Sequence, residues 1–538
     1  MDIPEELQFR DVRKQAPVII SKESRQVLPQ NGTKFQQSDS GTTQIVFRLP
    51  NEENSSTDLS TMWITADLTV LNLPAAFTAA NAPWGSKDAF LTANLDFLSC
   101  CDSIESAIKQ VHILVNGSEL ERHDYYNYEE SILNMHTNNA NFSNSIGAGC
   151  MLMNLNHYEK CKLFLSGRSA DSTSNTVQVS FPLRWAGVAN LRSLVPTYLL
   201  GGGQSAIEIR IFLENANKFL IAGEFTNAAN SGFASAFTKI TTSLTYQLDN
   251  VRLNYDVVQT SDAYTSSLRS YLASNQLTLP IDTYYTTQFD IPVNSTGWMN
   301  FTISTQMSDI SAVFIGFVKA DEQNSYAFAS TDRFFKPRNL EEARLQINGK
   351  PYPNVNIRLA GNVDLPEAEA YQYLMKALRQ NCSLEVIGNA NAFKESRRIY
   401  KINSGNITSA INVASTDIGS KDLLCANGLY YGVNKVAPVA DAPTINAPTN
   451  TNLFYEDAVL FDSPSSFILG FDISKSNYNN EYELSGQDLT KSSGLIQVNL
   501  RFGGSAPNQG PAFNTNAIVV VKHKRILDIG LDSSQVIY

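Results

Sequence analysis

Apolar and polar residues alternate along most of this chain, and the alternation breaks where Asn, Gly or Pro clusters. QIVFRL (44–49), MWITADLTVL (62–71), VQVSFPL (177–183) and IEIRIFL (207–213) place apolar side chains at every second position. Successive side chains of a strand point to opposite faces, so a period of two predicts half-buried β-strands. LTYQLDNVRLNYDVV (244–258) predicts one long strand. The same texture returns in YYTTQFDIPV (284–293), MSDISAVFIGFV (307–318), SSFILGFDI (465–473), LIQVNLRF (495–502) and AIVVVKHKRIL (517–527).

Two of these strands run into the same turn. HILVNGSEL (112–120) and RLQINGKPY (344–352) each reach Asn-Gly and then leave polar. Asn and Gly both tolerate positive φ, which a type I′ hairpin requires at its two central residues. Three segments carry helical spacing instead. In 124–135, Tyr125, Tyr128, Ile132 and Met135 fall on one helical face. In 364–378, Pro366 lies near the first turn, acids follow it and Lys376 is near the end. In 263–274, Ser261 or Asp262 is placed to cap the start.

Six features recur in the same order in the two halves. They are a Thr-Thr-Gln strand (42–44, 286–288), a Trp (Trp63, Trp298), the Asn-Gly hairpin, an aromatic helix, an alternating Ile/Val strand and a long terminal strand. The aromatic helices carry Tyr126-Asn127-Tyr128 and Tyr371-Gln372-Tyr373. The spacing between matched features drifts, which predicts loops of different length on one duplicated scaffold rather than a short-period solenoid. The expected organisation is a weakly periodic N-terminal arm over 1–40 that orders against a partner, a first β-sandwich over 41–260, a linker with a short helix over 261–282, and a second sandwich over 283–538. The Asn-rich stretches 220–243 and 433–452 read as surface for subunit contacts, the second equally as a loose surface loop.

Composition sharpens this reading. The chain has 538 residues, room for two sandwiches of roughly 200–250 each. Hydrophobic residues are 43% and charged residues only 17%, against a usual ~25%, so Asn, Ser and Thr supply much of the surface. The net charge of −11 argues against gripping nucleic acid or an anionic membrane through bulk charge. The N-terminus shows no apolar signal-peptide core, and no run reaches the ~18 apolar residues of a spanning helix. The six cysteines (Cys100, Cys101, Cys150, Cys161, Cys382, Cys425) show no CxxC spacing and read as buried thiols. Eight N-x-[ST] sequons read as chance in a chain this rich in Asn, Ser and Thr.

No catalytic, cofactor-binding or metal-binding residue is assigned. His112, His123, His136, His157 and His523 lack metal-type spacing and read as structural. Gly201-Gly202-Gly203 lacks the Lys and Ser/Thr of a phosphate loop. Glu129-Glu130 and Glu341-Glu342 are sequence neighbours, which a helix points about 100° apart, so they make poor acid–base pairs. Asp528 and Asp532 lack a calcium-loop pattern. The basic run Lys522-His523-Lys524-Arg525 has two readings: an import signal or nucleic-acid contact, or charges that protect a sheet edge from unwanted pairing.

Three segments carry a resemblance: FLSCCDSIESAIKQVHILVNGSELERHDYYNYEESIL (97–133), NVRLNYDVV with the linker after it (250–280), and LEEARLQINGKPYP (340–353). With them, the chain beyond the arm resembles the double jelly-roll major capsid proteins of double-stranded DNA viruses, in the virophage, polinton-like and nucleocytoplasmic large DNA virus group. The resemblance implies an all-β protein of two tandem eight-stranded jelly rolls with short helices in inter-strand loops. It implies a non-enzymatic homotrimer of pseudo-hexagonal outline that tiles an icosahedral virion shell around a DNA genome. Neighbouring capsomers are implied partners, as are minor capsid or penton proteins met through the N-terminal arm and base loops. An inner membrane beneath the shell is compatible, no sequence-specific nucleic-acid contact is expected, and assembly falls in the host cytoplasm or nucleus. Two alternatives stand beside it: a tandem β-sandwich lectin or adhesin, and a minor capsid or spike protein.

Overall fold

The alternating segments become sixteen principal strands in the computed structural model. It describes residues 18–77, 95–101, 103–137, 157–166, 176–191, 193–200, 207–225, 233–234, 237–303, 307–320, 323–326, 334–359, 367–382, 467–474, 486–487, 489, 495–505, 509–531 and 533–537, together with five short strands between 399 and 461. The first half contributes β1 (Ile19–Val27), β2 (Gln44–Leu49), β3 (Ser55–Leu71), β4 (Ile108–Val115), β5 (Ser118–His123), β6 (Thr176–Phe181), β7 (Ile207–Leu213) and β8 (Thr245–Thr260). The second contributes β9 (Leu277–Ile291), β10 (Gly297–Ile303), β11 (Ser308–Lys319), β12 (Leu340–Ile347), β13 (Lys350–Arg358), β14 (Ile468–Asp472), β15 (Ile496–Phe502) and β16 (Thr515–Gly530).

The first half forms two sheets, β1-β8-β3-β6 and β2-β7-β4-β5; the second forms β9-β16-β11-β14 and β10-β15-β12-β13. Counted from the start of each half, both run first-eighth-third-sixth and second-seventh-fourth-fifth, which is the jelly-roll order. Every pairing in these four sheets is antiparallel. Alternation explains the layering. In β7 the pattern Ile207, Ile209, Ile211 and Leu213 is buried while Glu208 and Arg210 are not. Ile45, Phe47 and Ile211 of one sheet and Ile64, Phe181 and Leu248 of the other line one small apolar void, so the two inner faces meet. Buried side chains of both halves belong to one contiguous core.

Both Asn-Gly pairs are hairpin turns, joining β4 to β5 and β12 to β13. The turn residues have φ of +51° and +81° at Asn116 and Gly117, and +51° and +78° at Asn348 and Gly349. A Cβ on Gly349 would meet nothing within 4 Å, so Gly349→Val acts through the backbone alone. It is expected to cost ~1–3 kcal/mol. Denaturant unfolding with an unchanged midpoint would contradict the turn assignment. The helices also form: α1 (Tyr126–Thr137), α2 (His157–Leu165), α3 (Asp262–Leu272) and α4 (Ala368–Cys382). Ser261 rather than Asp262 caps α3, its side chain accepting from the Tyr264 N–H.

The structure revises several sequence-based expectations. The region expected as an arm divides: β1 and a strand over Lys34–Gln37 both pair with β8, and residues 1–17 lie outside the described residues. β1 shows little alternation because it is an edge strand with no buried residue, so no face of it demands apolar side chains. The second sandwich begins at β9, inside the expected linker. Thr42-Thr43-Gln44 leads into the second strand of its half, whereas Thr286-Thr287-Gln288 lies in the first of its half; Trp63 is in β3 and Trp298 in β10. Those two matches were coincidental, and the hairpin, helix and last-strand matches are topologically equivalent. Residues 220–225 of the expected polar loop form a strand paired with Leu95–Cys100, with Leu220, Ile221 and Ala222 buried. Of 433–452, only strands Lys435–Val439 and Ala442–Ile445 are described, and Gly201 to Gly203 lie outside the described residues.

Candidate functional site at the seam between the two halves

A buried polar cluster lies where the halves meet. Glu121 and His123 are two apart on β5, so a strand's period puts both on one face, and both are fully buried. Glu129 comes from the first turns of α1. His123 Nδ1 lies 2.7 Å from Glu129 Oε2, and Nε2 lies 3.1 Å from Glu121 Oε2. Burial alone would lower the His123 pKa; the negative charge of Glu129 and the hydrogen bonds the ring donates to both carboxylates outweigh it and push the value up to about 10. The imidazolium is therefore the resident form at neutral pH.

The carboxylates are held in turn. Glu121 accepts from the backbone N–H of Gly187 and of Val188, each at 2.7 Å. Glu129 accepts from Thr286 Oγ1 of β9 at 2.6 Å, a bond between the halves. Gly187 permits this approach, because a Cβ there would sit 2.0 Å from the Asp282 carbonyl oxygen. Around the triad, Arg525 of β16 donates to the Leu120 carbonyl at 2.8 Å, Asn116 donates to Ser534 Oγ at 2.7 Å, and Trp185 meets Tyr284 edge-on at 6.3 Å.

A second buried cluster backs the first. Glu105 Oε1 accepts from Tyr126 OH at 3.0 Å and from the Arg184 N–H at 3.2 Å, while its Oε2 finds no hydrogen-bond partner. Burial, then the charge of Glu130, raises the Glu105 pKa to about 8, so this carboxyl is protonated at neutral pH. Glu130 instead accepts from Ser103 Oγ at 2.7 Å and Asn134 Nδ2 at 2.6 Å. Glu129 and Glu130 thus diverge as adjacent helical residues should.

The basic run belongs to this seam. β16 lies between β9 and β11, a central strand and not an edge. Lys522 and His523 are buried; Lys522 pairs with Asp282 at 2.9 Å and Lys524 with Asp309 at 3.7 Å. Burial, then the charge of Arg525, lowers the His523 pKa to about 3 and leaves it neutral. Both sequence readings of this run are corrected: its charges neutralise acids inside the fold. Of the other histidines, His112 meets Phe212 with ring centroids 5.0 Å apart and planes tilted by 54°, and the side chains of His136 and His157 lie outside the described residues. Cys100, Cys101 and Cys161 are buried free thiols. Cys150 and Cys425 lie outside the described residues.

The arrangement is a structural clamp. Glu121, His123 and Glu129 are sealed from solvent, and the histidine flanked by the two carboxylates carries a proton that both of them hold. Among the described residues, no group of three or more His, Cys, Asp or Glu is placed to hold a metal ion, and no helix is long and apolar enough to cross a membrane. Sequence reasoning left His123 as a structural residue and missed its partners. The available signal was Glu121-x-His123 on a strand with Glu129 six residues on in a helix.

The chain is similar to viral major capsid proteins. The Faustovirus major capsid protein shares 10% identity, with 98% of this chain and 94% of that chain covered and a TM-score of 0.48. The mavirus major capsid protein shares 10% identity over 100% of this chain and 95% of that chain, with a TM-score of 0.46. A quasi-atomic PBCV-1 virus capsid gives 9% identity, 96% coverage of each chain and a TM-score of 0.46. No family model and no curated protein matches the chain.

Proposed function

We propose that this chain is a major capsid protein that assembles as a homotrimer of pseudo-hexagonal outline and tiles an icosahedral shell around a double-stranded DNA genome. The observation that carries the proposal is the same eight-strand order occurring twice in one chain, with the two copies locked by a buried polar seam. Two similar sandwiches per chain give a three-fold assembly six similar lobes, which suits a lattice site with six neighbours. A rigid seam fixes the angle between lobes, as a tile requires. The domains are a first jelly roll to residue 260, a helical linker and a second jelly roll to the C-terminus. Residues 1–17 and loops at one end of the sandwiches supply contacts to neighbouring capsomers and to minor capsid proteins. The protein acts in the virion without catalysis or cofactor, and its assembly takes place in the host cytoplasm or nucleus.

Light scattering on the purified full chain tests the oligomer. The expected mass is about 178 kDa, three times the 59.3 kDa of one chain. A single species that stays at 59.3 kDa at high concentration would overturn the proposal.

A further inference from the structure

The outer face of the β10-β15-β12-β13 sheet carries an arginine with no acid to meet it. Alternation sends Val498 and Leu500 of β15 and Leu345 and Ile347 of β12 into the core. Trp298, Asn300, Asn499, Arg501 and Arg344 share the opposite face. Register sets Trp298 opposite Arg501, and Asn499 between Asn300 and Arg344. The Arg344 guanidinium carbon lies 4.8 Å from the centre of the Trp298 ring. Arg501 pairs with Glu342 at 2.8 Å and lies 3.7 Å from Glu341. Arg344 pairs with no carboxylate among the described residues.

Two donors at this plate are unused. Asn499 is 2% exposed, and its Nδ2 donates to no protein atom; the Nε of Arg344 is likewise buried without an acceptor. Buried donors are ordinarily satisfied, because an unmade bond costs the desolvation of the group. Trp298 itself remains 39% exposed. The fold does not require this arrangement. The registers of the two halves make His112, Arg210 and Gln44 the equivalents of Arg344, Asn499 and Trp298. There the arginine, Arg210, pairs with Glu208.

We propose that Trp298, Arg344 and Asn499 form a binding site for an acidic sugar, a pyranose that carries a carboxylate. The carboxylate takes the guanidinium of Arg344 in place of the indole, since a planar fork of N–H donors matches the two oxygens of a carboxylate. The indole, released from the guanidinium, offers its face to the C–H face of the sugar ring. The Asn499 amide donates to an oxygen of the ligand, and the exposed Asn300 amide beside it serves the hydroxyls. A single carboxylate among neutral hydroxyls matches this face better than a polyphosphate backbone, which the charges of Glu341 and Glu342 oppose. The site goes beyond the capsid reading and does not depend on it.

An array of neutral glycans and their uronate- and sialate-bearing counterparts, probed with the purified full chain, tests it. The acidic members are expected to be retained over the neutral ones. Trp298→Ala and Arg344→Gln are each expected to weaken retention roughly tenfold or more, the scale of a hydrogen bond to a charged group. Trp63→Ala removes an exposed indole of β3 in the other half and is expected to leave retention unchanged. Should Trp298→Ala lose its fold, the indole emission of the parent decides: a retained acidic glycan shifts it as Trp298 leaves the guanidinium, and an unshifted spectrum overturns the site. The site is also overturned if no acidic glycan is retained, if the neutral counterparts are retained equally, or if both site variants keep full retention. A chain that retains poly-glutamate and no glycan overturns it in favour of an acidic protein partner. None of these results bears on the capsid reading, which the native mass decides.

Discussion

Replacing His123 with leucine is expected to destabilise the chain by about 3–5 kcal/mol, the scale for removing one partner of a buried ion pair. The imidazolium sits between Glu121 and Glu129, and all three are fully buried. Leucine fills similar space, so a cavity contributes little. What remains is two carboxylates without the cation between them. Glu121 keeps its bonds from Gly187 and Val188, and Glu129 keeps Thr286, but those donors are neutral. A further change of Glu129→Gln in the same chain removes one orphaned charge and is expected to recover part of the loss. Chemical denaturation reads both effects. A His123→Leu chain as stable as the parent would show that the triad does not hold the seam.

The second large effect is a loss of stability in alkali. His123 has a folded-state pKa of about 10, above its ordinary 6.5. Its contribution is fully present below pH 6.5 and is lost as pH rises through about 10. Glu105 holds its proton to about pH 8 in the fold, against an ordinary 4.5, so its contribution is lost between 4.5 and 8. His523 has the opposite sign: its pKa of about 3 lies below its ordinary 6.5, so stability falls as pH drops across that interval. Above pH 6.5 the first two groups act together until about pH 8, each at up to about 1.4 kcal/mol per pH unit. The melting temperature is expected to fall throughout pH 6.5–10, most steeply below pH 8. The slope should be shallower in a His123→Gln chain, and a flat profile in the parent would contradict these assignments.

Much of the architecture was legible because half-buried strands advertise themselves by alternation. QIVFRL and IEIRIFL match β2 and β7 residue for residue. The Asn-Gly turns were legible for a chemical reason, the positive φ that these residues tolerate, and they fall at the same place in both topologies. β1 was not legible, because its IISKESRQV sequence lies on an edge where little of it is buried. Single residues such as Trp63 and Trp298 misled the alignment of halves, since any exposed strand face can carry one. The seam was the least legible part. It depends on which sequence-distant charges the topology brings together, as when Lys522 meets Asp282. A run of bases in sequence says nothing about the acids that await it across a sheet.

Electron cryo-microscopy of the purified particle tests the central claim most directly. The account predicts three chains in a closed ring of pseudo-hexagonal outline with six sandwich lobes. A single chain, or a two-fold pair joined by identical surfaces, would contradict it.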